Sequence, residues 1–155
     1  MGVTVRRATR ADAQAIAGFA VALFELHAEW DPRRFTQIAT RDGAERFYGE
    51  RAEAGGVLLA ESDRQAIGFA FFEYEPVLYA DLATNVVLLQ DLFVEPEARG
   101  KGAGRELLRA VRREAERLKA DKILLSVAAA NGEGREVFKR FGFATTMHEM
   151  MLIVN

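Results

Sequence analysis

The strongest constraint on the fold is a strand, a loop, a helix and a second strand that follow one another between residues 86 and 127. Residues 86–94 are almost continuously apolar, which predicts a central strand with both faces covered. Beyond a glycine-rich loop, apolar residues recur at helical spacing from Leu107 to Leu118 and mark one face of a helix. Residues 123–127 predict a short buried strand. Because such a unit places its strands parallel with a right-handed crossover, the chain is predicted to form an α/β sheet.

Patterns on either side of this unit add further strands and helices. Strands are predicted at residues 3–5, 57–61 and 66–74, with a connection at 75–84 and one or two final strands within 143–154. Helices are predicted after a capping box of Thr9 and Asp12, from Asp42, and from Asn131. The predicted order is β-α-α-β-β-β-α-β-α-β. We therefore expect one domain over residues 1–155, a mixed, mostly antiparallel twisted sheet with helices on both faces.

Composition excludes several classes of site. The chain has no cysteine, which excludes a disulfide framework and a cysteine nucleophile. His27 and His148 are its two histidines, so no metal site is predicted. No apolar run approaches the roughly 18 residues that a membrane helix needs. The N-terminus lacks the apolar core of a signal peptide, so a cytoplasmic location and no membrane partner are expected.

A row of arginines on the third predicted helix raises the question of nucleic-acid binding. Arginines recur every four residues, at Arg105, Arg109, Arg113 and Arg117. Three glutamates interleave with them on the same helix, and the net charge of the chain is −2. This pattern indicates a solvated helix face, so no nucleic-acid partner is predicted.

The glycine-rich loop predicts an anion site. Gly100, Gly102 and Gly104 leave no side chains to keep a ligand away from the backbone. The free amides and the dipole of the helix that follows favour a negative charge there. Arg99 and Lys101 add positive charge at the rim, so a diphosphate is the expected ligand. The spacing fits neither a Walker P-loop nor the G-x-G-x-x-G dinucleotide motif.

This loop and its flanks resemble the GNAT N-acetyltransferase superfamily. The residues that carry the resemblance are Arg99-Gly-Lys-Gly-Ala-Gly104, which matches the signature R-x-x-G-x-G/A, together with residues 92–97, Asn131 and residues 137–143. Within the superfamily the chain is similar to the diamine and polyamine acetyltransferases, through residues 68–70, 42–43 and 89–94. The resemblance implies the GNAT fold, acetyl-CoA as cosubstrate, a small-molecule amine as acceptor and a homodimer.

The resemblance also implies which residues hold acetyl-CoA. The backbone of Leu92, Phe93 and Val94 would bind the pantetheine arm as an added strand. The pyrophosphate would be held by backbone amides of the loop and the first helical turn, at Gly100, Lys101, Gly102, Ala103, Gly104 and Arg105. Asn131 would reach the arm from the far side of the cleft. It also stands where a helix N-cap belongs, and both roles can hold together.

Two positions depart from the family's pattern. Many members have a tyrosine that protonates the leaving thiolate, and the corresponding residue of this chain is Phe138. Tyr74 and Tyr79 are the candidate substitutes for that hydroxyl, with strand packing as the alternative. Polyamine-type members have Glu-Asp where this chain has Gln90 and Asp91.

Asp91 is the candidate proton acceptor, because the amine must lose a proton before it attacks the thioester. A structural ion pair would account for this carboxylate equally well. Strand alternation places Asp91 opposite Gln90, so its role depends on which side faces the cleft. The oxyanion would be held by a backbone amide of the central strand, at Leu92 or a neighbour.

Charge favours a cationic acceptor. Residues 73–97 contain six carboxylates and no basic residue, and Glu73 is the first of them. Glu25 and Glu29 lie four apart and so share a helix face. Trp30 follows directly and could stack on a cation. An acidic entrance would concentrate a small cationic amine, and a solvated acidic surface is the alternative interpretation.

Three hypotheses of function follow. The first is an acetyl-CoA-dependent N-acetyltransferase acting on a small cationic amine. The second keeps the reaction and changes the acceptor to a protein N-terminus or lysine. The third is a domain that binds acyl-CoA as a sensor without turnover, which Phe138 and Gln90 motivate because both lack the family's usual groups.

Overall fold

The computed structural model describes residues 2–155, and within them five strands form one sheet with four α-helices around it. The strands are β1 (Thr4–Arg7), β2 (Val57–Ser62), β3 (Gln65–Leu78), β4 (Ala83–Val94) and β5 (Lys122–Leu125). The helices are α1 (Ala13–Trp30), α2 (Arg41–Glu53), α3 (Ala103–Arg117) and α4 (Gly132–Phe141). Strands lie in chain order, antiparallel except for the parallel pair β4 and β5. The predicted mixed, mostly antiparallel sheet is therefore confirmed.

Two apolar layers cover the two faces of the sheet. On one face, Phe69 and Leu59 pack with residues of α1 and α2, among them Ile16 and Phe19. On the other face, residues of β2, β3 and β4 pack with Leu107 and neighbouring residues of α3. Successive residues of β2 belong to opposite layers, as strand alternation requires. The central strands are apolar on both sides because both sides are covered.

The β3–β4 hairpin is longer than its sequence indicates. Residues 75–84 are predicted as a connection, but β3 continues to Leu78 and β4 begins at Ala83, with a 3₁₀ turn at Tyr79–Asp81 between them. Pro76 lacks a backbone N–H, but this removes no hydrogen bond to β2, because β2 pairs with β3 only as far as Phe71. One side of β3 is consequently open at Pro76, where a missing N–H is tolerated.

The final strands predicted within residues 143–154 do not form. No strand is assigned from Phe143 to Asn155, and residues 144–155 are all exposed. The pattern of apolar residues is suitable for a strand, but within residues 2–155 β5 pairs with β4 alone. A strand needs a paired backbone as well as an apolar pattern, and this segment has no such partner in the single chain.

Gly68 is required by close packing of β3 on β4. A Cβ at this position would lie 2.4 Å from the carbonyl oxygen of Phe93, which the paired backbone cannot relieve without moving. We expect Gly68→Ala to lower the free energy of unfolding by about 1–3 kcal/mol, measured by urea denaturation. Gly132→Ala is the matched control, because a Cβ there meets no atom within 4 Å. Equal stability of the two variants would contradict this account.

Candidate active site

A cavity opens where β4 and β5 separate. The two strands pair from Val86 with Lys122 to Leu89 with Leu125, and not beyond. Past that point a cavity of about 940 Å³ lies between them, lined by residues 89–92 of β4 and by residues 125–128 at and beyond the end of β5. Helices α1 and α2, the segment that joins them, β3, and Asn131 and Phe138 at α4 supply the remaining wall. The edge of β4 that faces this cavity is left without a strand partner among the described residues, so it can pair with an extended ligand.

A β-bulge in β4 turns two consecutive side chains toward this cavity. Phe71 of β3 pairs with Asp91, whereas its neighbour Phe72 pairs with Leu89. Gln90 is therefore an extra residue with no partner in β3, and bulges re-aim side chains in this way. Gln90 and Asp91 both line the cavity. Strand alternation alone would have placed them on opposite sides.

The Asp91 carboxylate is held by a buried tyrosine. The hydroxyl of Tyr48, a residue of α2 that is 3% exposed, donates to Oδ2 of Asp91 at 2.6 Å. Within residues 2–155 the second oxygen, Oδ1, has no hydrogen-bond partner. Burial raises the pKa of Asp91, and the bond from Tyr48 partly offsets the increase. Burial, together with the Asp91 charge, also raises the pKa of Tyr48, which keeps it a hydrogen-bond donor.

Two further polar residues lie near Asp91. Glu73 of β3 lines the cavity and accepts a hydrogen bond from Nε2 of Gln90 at 3.0 Å. His27 of α1 also lines it, with Nδ1 2.8 Å from the carbonyl oxygen of Leu23. Because a carbonyl only accepts, Nδ1 carries a proton in this contact. The charge of Glu73 raises the pKa of Asp91, and His27 lowers it.

The glycine loop has the geometry of an anion site. Gly100 and Gly102 have φ values of +81° and +88°, a region that costs other residues about 1–3 kcal/mol. The N–H of Glu106 donates to the carbonyl of Gly102 at 3.0 Å. The amides of residues 103–105 come before this first intrahelical bond, and so they are free to bind a ligand.

Gly104 leaves open space in front of these amides. It is in the first turn of α3, its φ is not in the left-handed region, and a Cβ there would meet no atom within 4 Å. Glycine costs a helix about 1 kcal/mol relative to alanine, and neither conformation nor internal packing requires it here. The open space therefore fits the predicted diphosphate.

The remaining predicted coenzyme residues of this region lie at the end of β4 and at the glycine loop, beyond the residues that line the cavity. Arg99 donates from Nε to the carbonyl oxygen of Val94 at 2.9 Å, and its guanidinium lies 5.6 Å from the Phe93 ring centre. It thus ties the loop to the end of β4. Lys101 is exposed at the rim, and Arg105 follows it in the first turn of α3.

Asn131 and Phe138 both line the cavity on the β5 side. Oδ1 of Asn131 accepts a hydrogen bond from the backbone N–H of Gly134 at 2.9 Å, so the predicted N-cap role is confirmed. The Phe138 ring packs against Phe143 with ring centres 5.8 Å apart. It supplies apolar surface and no hydroxyl.

Four of the residues predicted for catalysis or for binding the acceptor lie away from the cavity. Glu25, Glu29, Trp30 and Tyr79 are absent from its lining. Leu23, Phe24 and His27 of α1 line the cavity. Glu25 and Glu29 lie about 200° and 240° around the helix from Leu23 and are exposed to solvent. The two glutamates share a face as predicted, but that face points outward. Tyr79 is 85% exposed at the tip of the β3–β4 hairpin, and Tyr74 donates to Oδ1 of Asn85 at 2.8 Å.

Sequence reasoning missed Tyr48. It is a buried tyrosine on a helix with many charged residues, and a buried hydroxyl needs a partner. The need of a buried hydroxyl for a partner could have marked Tyr48 as a candidate. Its partner Asp91 lies 43 residues away in sequence, and only the fold brings the two together.

No group of three or more His, Asp or Glu side chains within residues 2–155 could hold a metal ion. In the same residues, no helix is long and apolar enough to cross a membrane. Three arginines of α3 form ion pairs with glutamates of the same helix: Arg109 with Glu106 at 3.1 Å, Arg112 with Glu116 and Arg117 with Glu114. Arg7 of β1 similarly binds the buried Glu114 of α3 at 2.5 Å.

Comparisons with known proteins agree with this geometry. The model of the acetyltransferase (GNAT) family matches residues 20–143. The chain is 32% identical over 143 residues to the uncharacterized N-acetyltransferase YhfO of Bacillus subtilis, covering 91% of this chain and 89% of that protein. It is 28% identical over 126 residues to the spermine/spermidine N(1)-acetyltransferase of the same organism, covering 79% of each. Its fold matches that of the aminoglycoside N-acetyltransferase AAC(6')-Iy in complex with CoA, with a TM-score of 0.76 and 19% identity over 97% of this chain and 93% of the other.

Proposed function

Because the chain belongs to the acetyltransferase (GNAT) family and uses acetyl-CoA, we propose that it transfers the acetyl group to the primary amine of a small cationic molecule. The observation that carries this proposal is the Asp91 carboxylate. One of its oxygens is fixed by Tyr48 and the other has no partner, at the point where β4 and β5 separate. A carboxylate in this position can bind an ammonium group and accept its proton.

The binding of acetyl-CoA is assigned to the open edge of β4 and to the glycine loop. The backbone of Leu92, Phe93 and Val94 pairs with the extended pantetheine arm. The amides of residues 100–105 hold the pyrophosphate at the start of α3, and Arg99 and Lys101 contribute positive charge. Phe138 and Asn131 close the opposite side of the arm.

The chemical step needs one proton acceptor and one oxyanion donor. The substrate ammonium gives a proton to Asp91, and the neutral nitrogen attacks the thioester carbonyl. The backbone N–H of Leu92 stabilises the negative charge that develops on the carbonyl oxygen. The carbon–sulfur bond then breaks, CoA leaves as a thiolate, and the nitrogen gives its second proton to that thiolate as the amide forms. A thiol with a pKa near 8.5 is a good leaving group, so Phe138 in place of a tyrosine does not prevent the reaction.

The direct test is the release of free thiol from acetyl-CoA with the purified full chain. The panel contains alkylamines, diamines, polyamines, aminoglycosides and short peptides, with an amine-free control. Release above the control with small amines supports the proposal. Release with peptides alone would assign a protein acceptor. Acetyl-CoA binding without release for any amine would favour the sensor hypothesis and contradict the proposed reaction.

Tyr48→Phe tests how Asp91 is tuned. The bond from Tyr48 stabilises the ionised carboxylate, so its loss should raise the pKa of Asp91 further. We expect the acidic limb of the pH profile of kcat/KM to move to higher pH. Well above that limb, kcat/KM of the variant should differ less from that of the unmodified protein. Tyr74→Phe is the matched control, because its hydroxyl bonds Asn85 outside the cavity. An unmoved limb in Tyr48→Phe would exclude this role.

We also propose that the chain is a homodimer and that residues 147–154 take part in the interface. Met150, Leu152 and Val154 are 90%, 85% and 88% exposed, and an apolar run of this kind marks an interaction site. In the described residues the outer edge of β5 is unpaired, and an unpaired edge is a template for another strand. In a two-fold dimer, residues 147–154 of each copy can form a strand that pairs with the outer edge of β5 in the other copy.

Sedimentation velocity of the full chain should show a dimer, and Leu152→Glu should shift it toward monomer. The control is Leu82→Glu, which changes a leucine that is 93% exposed in the β3–β4 turn. A monomer for the unmodified chain at tens of micromolar would refute the dimer. Equal dimerisation of both variants would place the interface elsewhere.

A further inference from the structure

The cavity has two halves of different chemistry. The coenzyme half is lined by β4, by residues 125–128 at and beyond the end of β5, and by Asn131 and Phe138 at α4, where the pantetheine arm is assigned. The acceptor half is lined by α1, α2, the segment between them and β3. Large apolar side chains of the acceptor half are Leu23, Phe24, Phe35, Ile38, Phe47 and Phe71.

The aromatic side chains of the acceptor half form two groups, which together make up its aromatic surface. In the first, the rings of Phe47 and Phe71 meet edge to face at 5.7 Å between centres, and Phe47 meets Tyr48 at 5.0 Å. In the second, Phe35 meets His27 at 4.9 Å. Such surfaces favour an apolar body, since each buried CH₂ contributes about 0.8 kcal/mol.

The carboxylates of the cavity are few and lie at one end. Among its described lining residues the carboxylates are Glu73 and Asp91, and Glu73 already accepts a bond from Gln90. One unpartnered oxygen, Oδ1 of Asp91, lies beside the site of reaction. This arrangement suits one ammonium group.

The rest of the acceptor half offers no unpaired carboxylate among the described lining residues. Arg34 lines the cavity and is paired with Glu149 at 2.5 Å, so neither of these two charges is in excess. The guanidinium of Arg51, a residue outside the cavity lining, lies 3.7 Å from the centre of the Phe47 ring and already places a cation on that ring. A second ammonium on the substrate would lose its water on an apolar surface without a carboxylate to pair with, which costs free energy.

We infer that the acceptor is a primary monoamine with an aryl or alkyl body, rather than a diamine or polyamine. The inference rests on the proposed function, because it names the substrate class of the same site. The ammonium binds at Asp91 and the carbon body lies against the aromatic surface. Substrates that place a second cation on that surface are disfavoured. The acidic composition of residues 73–97 alone would instead favour a substrate with several cations.

The test compares hexylamine with 1,6-diaminohexane, two amines with the same carbon chain and with one or two ammonium groups. We expect kcat/KM for thiol release to be at least about tenfold higher for hexylamine, the factor that small changes in an apolar pocket can supply, even though the diamine offers two equivalent nitrogens. Phenethylamine should match or exceed hexylamine, and spermidine should be the poorest substrate.

A variant pair ties the preference to the aromatic surface. Phe47→Ser should lower kcat/KM for hexylamine and reduce the ratio of kcat/KM for hexylamine to that for 1,6-diaminohexane. Phe47→Leu should restore most of both values. Tyr79→Ser changes an exposed aromatic outside the cavity and should alter neither value. A diamine or polyamine preferred over hexylamine would overturn the inference and leave the acetyltransferase proposal standing. Acetyl-CoA binding without release for any amine would overturn both.

Discussion

Asp91→Asn is expected to reduce kcat/KM by about 10²- to 10⁴-fold, the usual contribution of a positioned general base. Asparagine has nearly the same shape and can still accept the hydrogen bond from Tyr48. It cannot take a proton from the substrate ammonium. The dissociation constant for acetyl-CoA should remain unchanged, because the coenzyme contacts the backbone of β4 and the loop.

The same substitution should not destabilise the protein. Burial raises the pKa of Asp91, so the folded state holds this proton more tightly than the unfolded state does. Its favourable contribution is present at low pH and is lost as the pH rises through the raised pKa. Above that pKa the buried charge costs stability. We therefore expect Asp91→Asn to unfold at an equal or higher urea concentration at pH 8, with the difference shrinking toward lower pH.

Opposite effects on activity and stability distinguish a catalytic carboxylate from a structural one. An Asp91 held only for a structural ion pair would lose stability on substitution and keep its rate. Glu73→Gln is the matched control, since it removes the neighbouring cavity carboxylate and should cost much less activity. If Asp91→Asn raised KM for the amine alone and left kcat intact, the carboxylate would bind the ammonium without accepting its proton.

The bulge in β4 shows where sequence reasoning stops for this site. The apolar run of residues 86–94 predicts a central strand, and the strand forms. Regular alternation then places Gln90 and Asp91 on opposite sides. One extra residue in the register with β3 brings both side chains to the cavity. No residue of the run marks this irregularity, because it arises from pairing with a strand some 20 residues away.

Elements with strong local signals agree with the structure, and those that depend on distant partners do not. The helix after the glycine loop and the parallel strand that follows are set by local pattern and by the handedness of the crossover. The chain after Phe143 has an apolar pattern but no strand partner. The prediction that Glu25 and Glu29 share one helix face is correct, but the direction of that face depends on how α1 packs.

Gly104 should separate folding from coenzyme binding. Its backbone is not left-handed and a Cβ has open space around it, so a larger residue fits the free protein. Glutamate in the first turn of a helix is favourable toward the helix dipole and removes the entropic cost of glycine. We expect Gly104→Glu to keep or slightly raise the free energy of unfolding, measured without acetyl-CoA.

Acetyl-CoA binding by Gly104→Glu should fall by about 10²-fold or more. The new side chain would fill the space in front of the amides of residues 103–105 and set a carboxylate against the pyrophosphate, and each hydrogen bond to a charged group contributes about 1.5–3 kcal/mol. Isothermal titration with acetyl-CoA measures the loss. Arg109→Glu is the control for charge, because it alters the same helix one turn later and leaves the glycine space open. Tight binding of acetyl-CoA by Gly104→Glu would contradict the placement of the pyrophosphate at the start of α3. Neither conformation nor packing requires the glycine at this position, so ligand binding would then no longer account for it.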